Sequence, residues 1–140
     1  MFTLDPRLQN DTIALGSFPL SLLLLMNDCT YPWLILVPQR PDIREIFQLA
    51  TADQQQLLRE SSLLAAALVA QFYPDKLNIA ALGNVVSQLH LHHVVRYRND
   101  PAWPAPVWGK APPVPYQPKQ AAALCADLSP RLHDFSPAPW

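Results

Sequence analysis

Proline placement limits where this chain can form regular structure. The sequence contains sixteen prolines and only three glycines. Seven of the prolines fall in residues 101–118, and proline removes a backbone donor and breaks helices. This segment therefore cannot be a central strand or a helix. It is predicted to be an ordered strap held by its aromatic residues, or a polyproline-like arm.

Short aliphatic runs before the strap predict the strands. Residues 33–37 are aliphatic after Trp33 and lie between two prolines, which is typical of a buried central strand. The turn-forming residues 27–32 precede this run and predict an antiparallel hairpin with the run before them. The arm at residues 2–10 is expected to be a short strand or irregular. Further strands are predicted at residues 13–18, 20–27, 76–82 and 85–97.

One long helix is predicted between the two groups of strands. It begins near Thr51, where residues 51–54 match a capping box, and it ends before Pro74. Apolar residues recur at helical spacing and predict a stripe that packs on the sheet. Residues 41–49 are expected to be a linker with a short helix, and residues 120–128 a short final helix. The predicted fold class is α+β, an antiparallel sheet with helices on one face.

Length, charge and cysteine content exclude several function classes. A chain of 140 residues fits one domain, with its core at about residues 2–110 and the end of the strap and a short final helix at 111–140. The formal net charge of −1 argues against binding a nucleic acid polymer or an anionic membrane. The longest apolar run, residues 20–26, is too short to span a membrane. Cys29 and Cys125 form no CxxC pair and the start is not a signal peptide, so a cytoplasmic protein with reduced thiols is expected.

Three of the four histidines lie within residues 87–98. In a strand, Gln88, His90 and His92 would point to one face, and His93 to the other. A histidine ring whose Nδ1–H donates to a backbone carbonyl presents the Nε2 lone pair, which can attack phosphorus. His92 and Gln88 could donate hydrogen bonds to the phosphate oxygens.

Two other interpretations of the histidines remain open. A single histidine would more often be structural, although two on one strand face favour a site. The His-x-His spacing can also supply two zinc ligands, but it needs a third, and neither Asp28 nor Asp100 has a recognisable metal spacing. No metal or cofactor is therefore predicted.

These residues resemble the histidine triad (HIT) superfamily of nucleotide hydrolases and transferases. The family motif is His-φ-His-φ-His-φ-φ, where φ is apolar, preceded by an Asn and a Gly-Gln step. The resemblance extends over about residues 2–110 and is closest to a bacterial, diadenosine-tetraphosphate-hydrolase-like branch. The matching segments are Asn78, Gly83-Asn84, residues 88–94, residues 33–38 and the Trp-Pro element in residues 100–104.

The resemblance implies a role for each matching residue. His90 falls on the nucleophile that forms a nucleotidyl-histidine intermediate, and His92 on the residue that binds and polarises the phosphate. Asn78 matches a phosphate-side Asn, Asn84 stands where Gln is more usual, and Asp28 lies near an acidic ribose-binding position.

The chain departs from the family pattern at two histidine positions. Gln88 stands in place of the first His of the motif, and Trp33 stands where many members have a further His. The backbone carbonyl of Gln88 can still orient His90, but its amide cannot act as an acid. His93 replaces an apolar residue and is expected to face away from the site, packed or partly exposed.

The resemblance implies a hydrolase or nucleotidyl transferase that acts on the α-phosphate of a nucleoside 5′-phosphate derivative. Its substrate would be a dinucleoside polyphosphate or a phosphoramidate. The alternative is a nucleotide-binding protein with little catalysis, because two histidines are replaced. A homodimer is also implied.

Overall fold

The computed structural model describes residues 1–139. The sequence leaves open whether the tail at residues 137–140 is loose or docks through Trp140, and Trp140 lies outside the described residues. Within these described residues, the chain forms six strands, three α-helices and two short 3₁₀ turns. In order they are α1 Pro6–Asp11, β1 Thr12–Ser17, β2 Ser21–Met26, β3 Trp33–Pro38, a 3₁₀ turn Ile46–Gln48, α2 Thr51–Phe72, β4 Lys76–Ala80, β5 Leu91–Arg96, α3 Pro118–Leu128, a 3₁₀ turn Ser129–Arg131 and β6 Ser136–Pro137.

The strands form one open antiparallel sheet in the order β4-β5-β3-β2-β1-β6. The predicted α+β class and the hairpin between β2 and β3 are confirmed. The prediction of helices on one face only is wrong, because α1 packs on the face opposite α2 and α3. The central strand β3 pairs with β2 on one side and with β5 on the other, where Ile35 lies opposite His92. This pairing brings the histidine segment, distant in sequence, beside the aliphatic strand.

Both faces of the sheet are covered, which explains why β3 is a continuous apolar run. On one face, the leucines of the sheet pack under α2 and α3 around Leu64 and Leu68. On the other face, Leu8 of α1 and Val107 of the strap pack over Ile35. All six residues of β3 are buried as a result.

The long helix is confirmed, but its predicted capping box is wrong. Ala50 is the N-cap residue, and no side chain caps the helix start. The amide of Gln54 instead donates to the carbonyl of Leu49 at 2.9 Å. The helix ends as predicted before Pro74, with Tyr73 in the left-handed region at φ 49°.

Three local predictions need correction. Residues 6–11 form a helix and are neither a strand nor irregular, because Asp5 caps the helix by accepting from the Arg7 amide and Pro6 begins it. The histidine strand begins at Leu91 and not near residue 85, so Gln88 and His90 precede it. The C-terminal segment adds β6, which pairs with β1 at Gly16 and was not predicted.

The proline-rich segment is an ordered strap without regular structure up to α3. Cys29 and Val114 join the loop before β3 to the strap, because the Cys29 amide donates to the Val114 carbonyl at 2.7 Å. Within residues 1–139, no helix has the length and apolar character needed to cross a lipid bilayer.

Candidate functional site

The candidate site lies where the loop before β5 enters the sheet beside β3. The rings of His90 and His92 lie on the same side, with centroids 4.8 Å apart. His90 is 7% exposed and His92 is 4% exposed. The sequence prediction that these two side chains share a face is therefore confirmed, although only His92 lies within a strand.

The backbone carbonyl of Gln88 orients the ring of His90. The His90 Nδ1 lies 2.7 Å from this oxygen. A carbonyl can only accept, so Nδ1 carries the proton and Nε2 keeps its lone pair in the neutral ring. This is the arrangement that a nucleophilic imidazole needs.

His92 is oriented by Trp33 on the neighbouring strand. The Trp33 indole N–H donates to His92 Nδ1 at 3.0 Å. Burial, and then the nearby His90 and His93, lower the pKa of His92 to about 3, so the ring is neutral near pH 7. A second indole, that of Trp108 in the strap, packs edge-on to His92 at 5.3 Å between centroids.

His93 points to the opposite face of the sheet, as predicted, and is fully buried there. Its Nδ1 donates to the Leu91 carbonyl at 3.1 Å, which leaves Nε2 to accept from the Ser61 hydroxyl of α2 at 2.7 Å. Burial lowers its pKa to about 4. His93 therefore joins the sheet to the helix and does not reach the site.

An open cavity of about 440 Å³ lies in front of the two histidines. Its size is within the range of ligand pockets. The predicted residue Asn84 lines it, together with His90 and His92. The remaining lining side chains are mostly apolar, and they include Leu8, Met26, Val86 and Trp108.

The Gln88 side chain does not extend toward the other two motif positions. Its Nε2 donates to the Thr3 carbonyl at 2.9 Å, and its Oε1 accepts from the Asp5 amide at 2.9 Å. Both ends of the amide thus hold the N-terminal arm. The catalytic role predicted for this side chain remains a prediction, whereas its backbone carbonyl directly orients His90.

Asn78 and Asp28 lie outside the residues that line the cavity in front of His90. The Asn78 side-chain oxygen accepts from Arg96 at 2.7 Å. Asp28 is buried and accepts from the backbone amides of Thr30 and Val114, and it lines a neighbouring cavity of about 340 Å³. Trp108 lines both cavities. The nucleotide-binding roles predicted for Asn78 and Asp28 remain predictions.

A buried ion pair fixes the strap beside the site. Arg96, 1% exposed, pairs with Asp100 at 2.8 Å and also donates to the Ala105 carbonyl. The hydrogen bonds from Arg96 lower the pKa of Asp100 to about 2. Asp100 also accepts from the Trp103 amide at 2.8 Å. Arg96 thus stabilises the strap that carries Trp108.

Sequence reasoning missed the contribution of α1 to the cavity. Arg7, Leu8 and Asp11 line the cavity from this helix. The Asp5-Pro6 step, an N-cap residue followed by proline at the first helical position, is the sequence pattern that indicates it. The hydrogen bond from Trp33 to His92 has no local pattern, because 59 positions separate the two residues.

The part of the chain that the structure describes offers no third zinc ligand beside these two histidines. Within residues 1–139, no group of three or more His, Cys, Asp or Glu side chains is arranged to hold a metal ion. The Nδ1 atoms of His90 and His92 already have hydrogen-bond partners.

Comparisons with known proteins agree with the geometry. The family model described as HIT domain matches residues 7–99. The solved structure of a histidine triad protein from Marinobacter aquaeolei VT8 is 55% identical with a TM-score of 0.94, covering 97% of this chain and 99% of that one. A histidine triad protein from Sinorhizobium meliloti 1021 is 45% identical with a TM-score of 0.92, covering 94% and 98%.

A more distant structure shares only the fold. It is a hypothetical histidine triad nucleotide-binding protein from Sulfolobus tokodaii strain7, 12% identical with a TM-score of 0.64, covering 86% of this chain and 83% of that one. A search of curated proteins found no match.

Proposed function

The chain belongs to the HIT family, and from that premise we propose that it is a nucleotide hydrolase or nucleotidyl transferase that uses His90 as its nucleophile. The observation that carries the proposal is the hydrogen bond of 2.7 Å between His90 Nδ1 and the Gln88 carbonyl. It directs the proton to Nδ1 and leaves the lone pair on Nε2.

The reaction would proceed in two displacements at the α-phosphorus of a nucleoside 5′-phosphate derivative. His90 Nε2 attacks, and the leaving group departs to give a nucleotidyl-histidine. Water then attacks the same phosphorus and releases the nucleotide. His92 would donate a hydrogen bond to the phosphate oxygens, where negative charge increases in the transition state.

Two cavities that are both lined by His90 suit the two parts of such a substrate. The larger, mostly apolar cavity contains Leu8, Met26 and Trp108, which suit a nucleoside. A smaller cavity of about 230 Å³ is also lined by His90 and contains Arg44, whose guanidinium suits a leaving phosphate. A dinucleoside polyphosphate, as in the diadenosine-tetraphosphate-hydrolase-like branch, is the substrate we favour.

The free thiols fit a reducing compartment. Cys29 is exposed and Cys125 is buried, and neither forms a disulfide. We therefore propose a cytoplasmic location.

The test is turnover of diadenosine tetraphosphate and an adenosine phosphoramidate by wild type and by His90→Ala. We expect His90→Ala to lose at least about 10³-fold in kcat, because the nucleophile is removed. His133→Ala is the matched control, since it replaces an exposed histidine in the C-terminal segment. Intact mass spectrometry after rapid, acid-free quenching should detect a nucleotidyl adduct on wild type and on His133→Ala, but not on His90→Ala.

Each outcome distinguishes the enzyme from its main alternative. Full turnover by His90→Ala would contradict the mechanism. Nucleotide binding without turnover in wild type would favour a binding protein, which the replacement of family histidines at Gln88 and Trp33 also supports. Identical turnover with and without a chelator would exclude dependence on a removable metal.

We further propose that two chains form a homodimer through the face that carries β4 and α2. β4 is an edge strand of the sheet, and an edge presents unpaired backbone groups that can pair with another chain. Ile79 on β4 is 47% exposed and Leu58 on α2 is 67% exposed, and both line an open, mostly apolar groove. Sedimentation equilibrium should give twice the monomer mass, and Leu58→Glu should shift the protein toward monomer.

A further inference from the structure

The hydrogen bond between Trp33 and His92 fixes the position of one proton in the site. An indole nitrogen has a single N–H, cannot accept a hydrogen bond and does not titrate near neutral pH. Since Trp33 Nε1 lies 3.0 Å from His92 Nδ1, that Nδ1 must present its lone pair. The neutral His92 ring therefore carries its proton on Nε2.

The surrounding packing prevents the indole from turning away. Trp33 is 7% exposed and contacts Tyr31 and Trp108 edge-on, with centroids 6.5 and 5.9 Å away. Protonation of His92 at Nδ1 would make two N–H donors face each other without an acceptor. In a buried site, such unsatisfied donors cost free energy. The position of the Trp33 N–H therefore disfavours the imidazolium form of His92, in addition to the effect of burial.

We propose that Trp33 is a positioning residue that keeps His92 a neutral Nε2–H donor, and that it thereby restricts turnover to substrates whose leaving group departs as an anion. The proposal rests on the hydrolase function proposed above. A neutral imidazole donates a hydrogen bond but is a very weak acid, so His92 can stabilise charge without supplying a proton. The favoured substrates are phosphoric anhydrides, and the disfavoured ones are phosphoramidates.

The balance of atoms and electrons explains this preference. When His90 attacks an anhydride, an N–P bond forms, a P–O bond breaks and the electron pair leaves on the phosphate oxygen, without a proton. Water then forms a P–O bond, the N–P bond returns its pair to Nε2, and one proton goes to solvent. A phosphoramidate differs in the first step, because its amine nitrogen must gain a proton to depart as a neutral amine.

The other titratable groups near His92 are poor sources of that proton. His90 is the nucleophile, and its own Nδ1–H is bound to a carbonyl. His93 lies on the opposite face against Ser61. Arg7 and Asp11 of α1 line the larger cavity, and Glu45 lines the smaller cavity, but all three side chains are exposed. With Trp33 in place, the proton is expected to come from solvent or from an exposed group that exchanges protons with solvent.

The experiment is made on the wild-type protein, and one variant is used only to assign the spectrum. Long-range ¹H–¹⁵N correlation spectra of ¹⁵N-histidine protein report which ring nitrogen is protonated, and His92→Phe assigns the signal. We expect a neutral His92 with its proton on Nε2 from pH 8 to pH 5. A proton on Nδ1, or an imidazolium within that range, overturns the proposal.

Kinetics test the leaving-group preference. We expect Trp33→Phe, which keeps an aromatic ring but removes the N–H, to raise the phosphoramidate-to-tetraphosphate ratio of kcat at pH 6 by at least about tenfold. In this variant the pKa of His92 should be higher than in wild type, or its ring should populate both tautomers. Trp103→Phe is the control for loss of an indole. Trp103 belongs to the strap and its ring packs against Arg96, and it does not contact His92. An unchanged ratio in folded Trp33→Phe, or a wild-type enzyme that prefers the phosphoramidate, overturns the proposed preference.

The two proposals fail in different ways. If wild type turns over neither substrate, the proposed function and the leaving-group preference both fail. The spectra still decide the tautomer in that case, because they require no catalysis. If wild type is active but His92 carries its proton on Nδ1, only the role of Trp33 fails.

Discussion

His92 and His93 are consecutive, buried and neutral, yet the two faces of the sheet give them different surroundings. On one face, His92 has Nδ1 bonded to Trp33, and its ring lines an open cavity. On the other face, both nitrogens of His93 are bonded, to the Leu91 carbonyl and to Ser61. Burial and a lowered pKa are therefore common to a site histidine and a packing histidine. The difference is whether a ring nitrogen remains for a ligand.

The largest expected effect comes from replacing each histidine with phenylalanine, a ring of similar size. His92→Phe removes the donor to the phosphate and should lower kcat by about 10²- to 10³-fold. His93→Phe should leave the kcat of the folded protein within about threefold, because its ring does not reach the cavity, and should lower stability instead. Steady-state kinetics and urea unfolding of both variants test this. Equal losses of kcat would remove the distinction between the two faces.

The next largest effect is the loss of stability in acid, to which the histidine of the packing face contributes. The pKa of His93 is lowered from its ordinary 6.5 to about 4, so between these values the unfolded chain binds the extra proton. The stability from the neutral ring is complete above about pH 6.5 and is lost as the pH falls toward 4. This difference corresponds to roughly 3 kcal/mol. His92, whose pKa is about 3, adds to the loss over the same range and below it.

Urea unfolding at pH 7 and at pH 4.5 measures the loss. His93→Phe lacks this titrating group, so its stability should change less between the two pH values than that of wild type. The same pH dependence in both proteins would show that His93 is not the group responsible.

A smaller effect is expected from replacing Ser61, the α2 residue that is hydrogen-bonded to His93. Ser61→Ala removes the hydroxyl that donates to His93 Nε2 and leaves a buried acceptor unsatisfied, which should lower stability by about 1 to 2 kcal/mol. Ser62→Ala changes the exposed neighbour and should alter stability by less than about 0.5 kcal/mol. Urea midpoints compare the two variants. A change in kcat with Ser61→Ala would indicate that the two faces are coupled.

Local sequence patterns determined much of the secondary structure of this protein and the placement of its histidines. Proline positions and aliphatic runs predicted β2, β3 and the end of α2, because proline cannot take part in a helix interior or a central ladder. The alternating motif placed His90 and His92 together and His93 apart, since strand side chains alternate in direction. The same motif identified the family.

Tertiary structure decided the rest, because the deciding contacts join distant parts of the chain. Only the pairing of β3 with β5 brings Trp33 to His92. Folding of the N-terminal arm onto Gln88 gives that side chain a partner that its position in the motif does not indicate. Hydrogen-bond partners and burial depend on which distant segments come into contact. Those contacts form only when the whole chain folds, so no local sequence pattern predicts them.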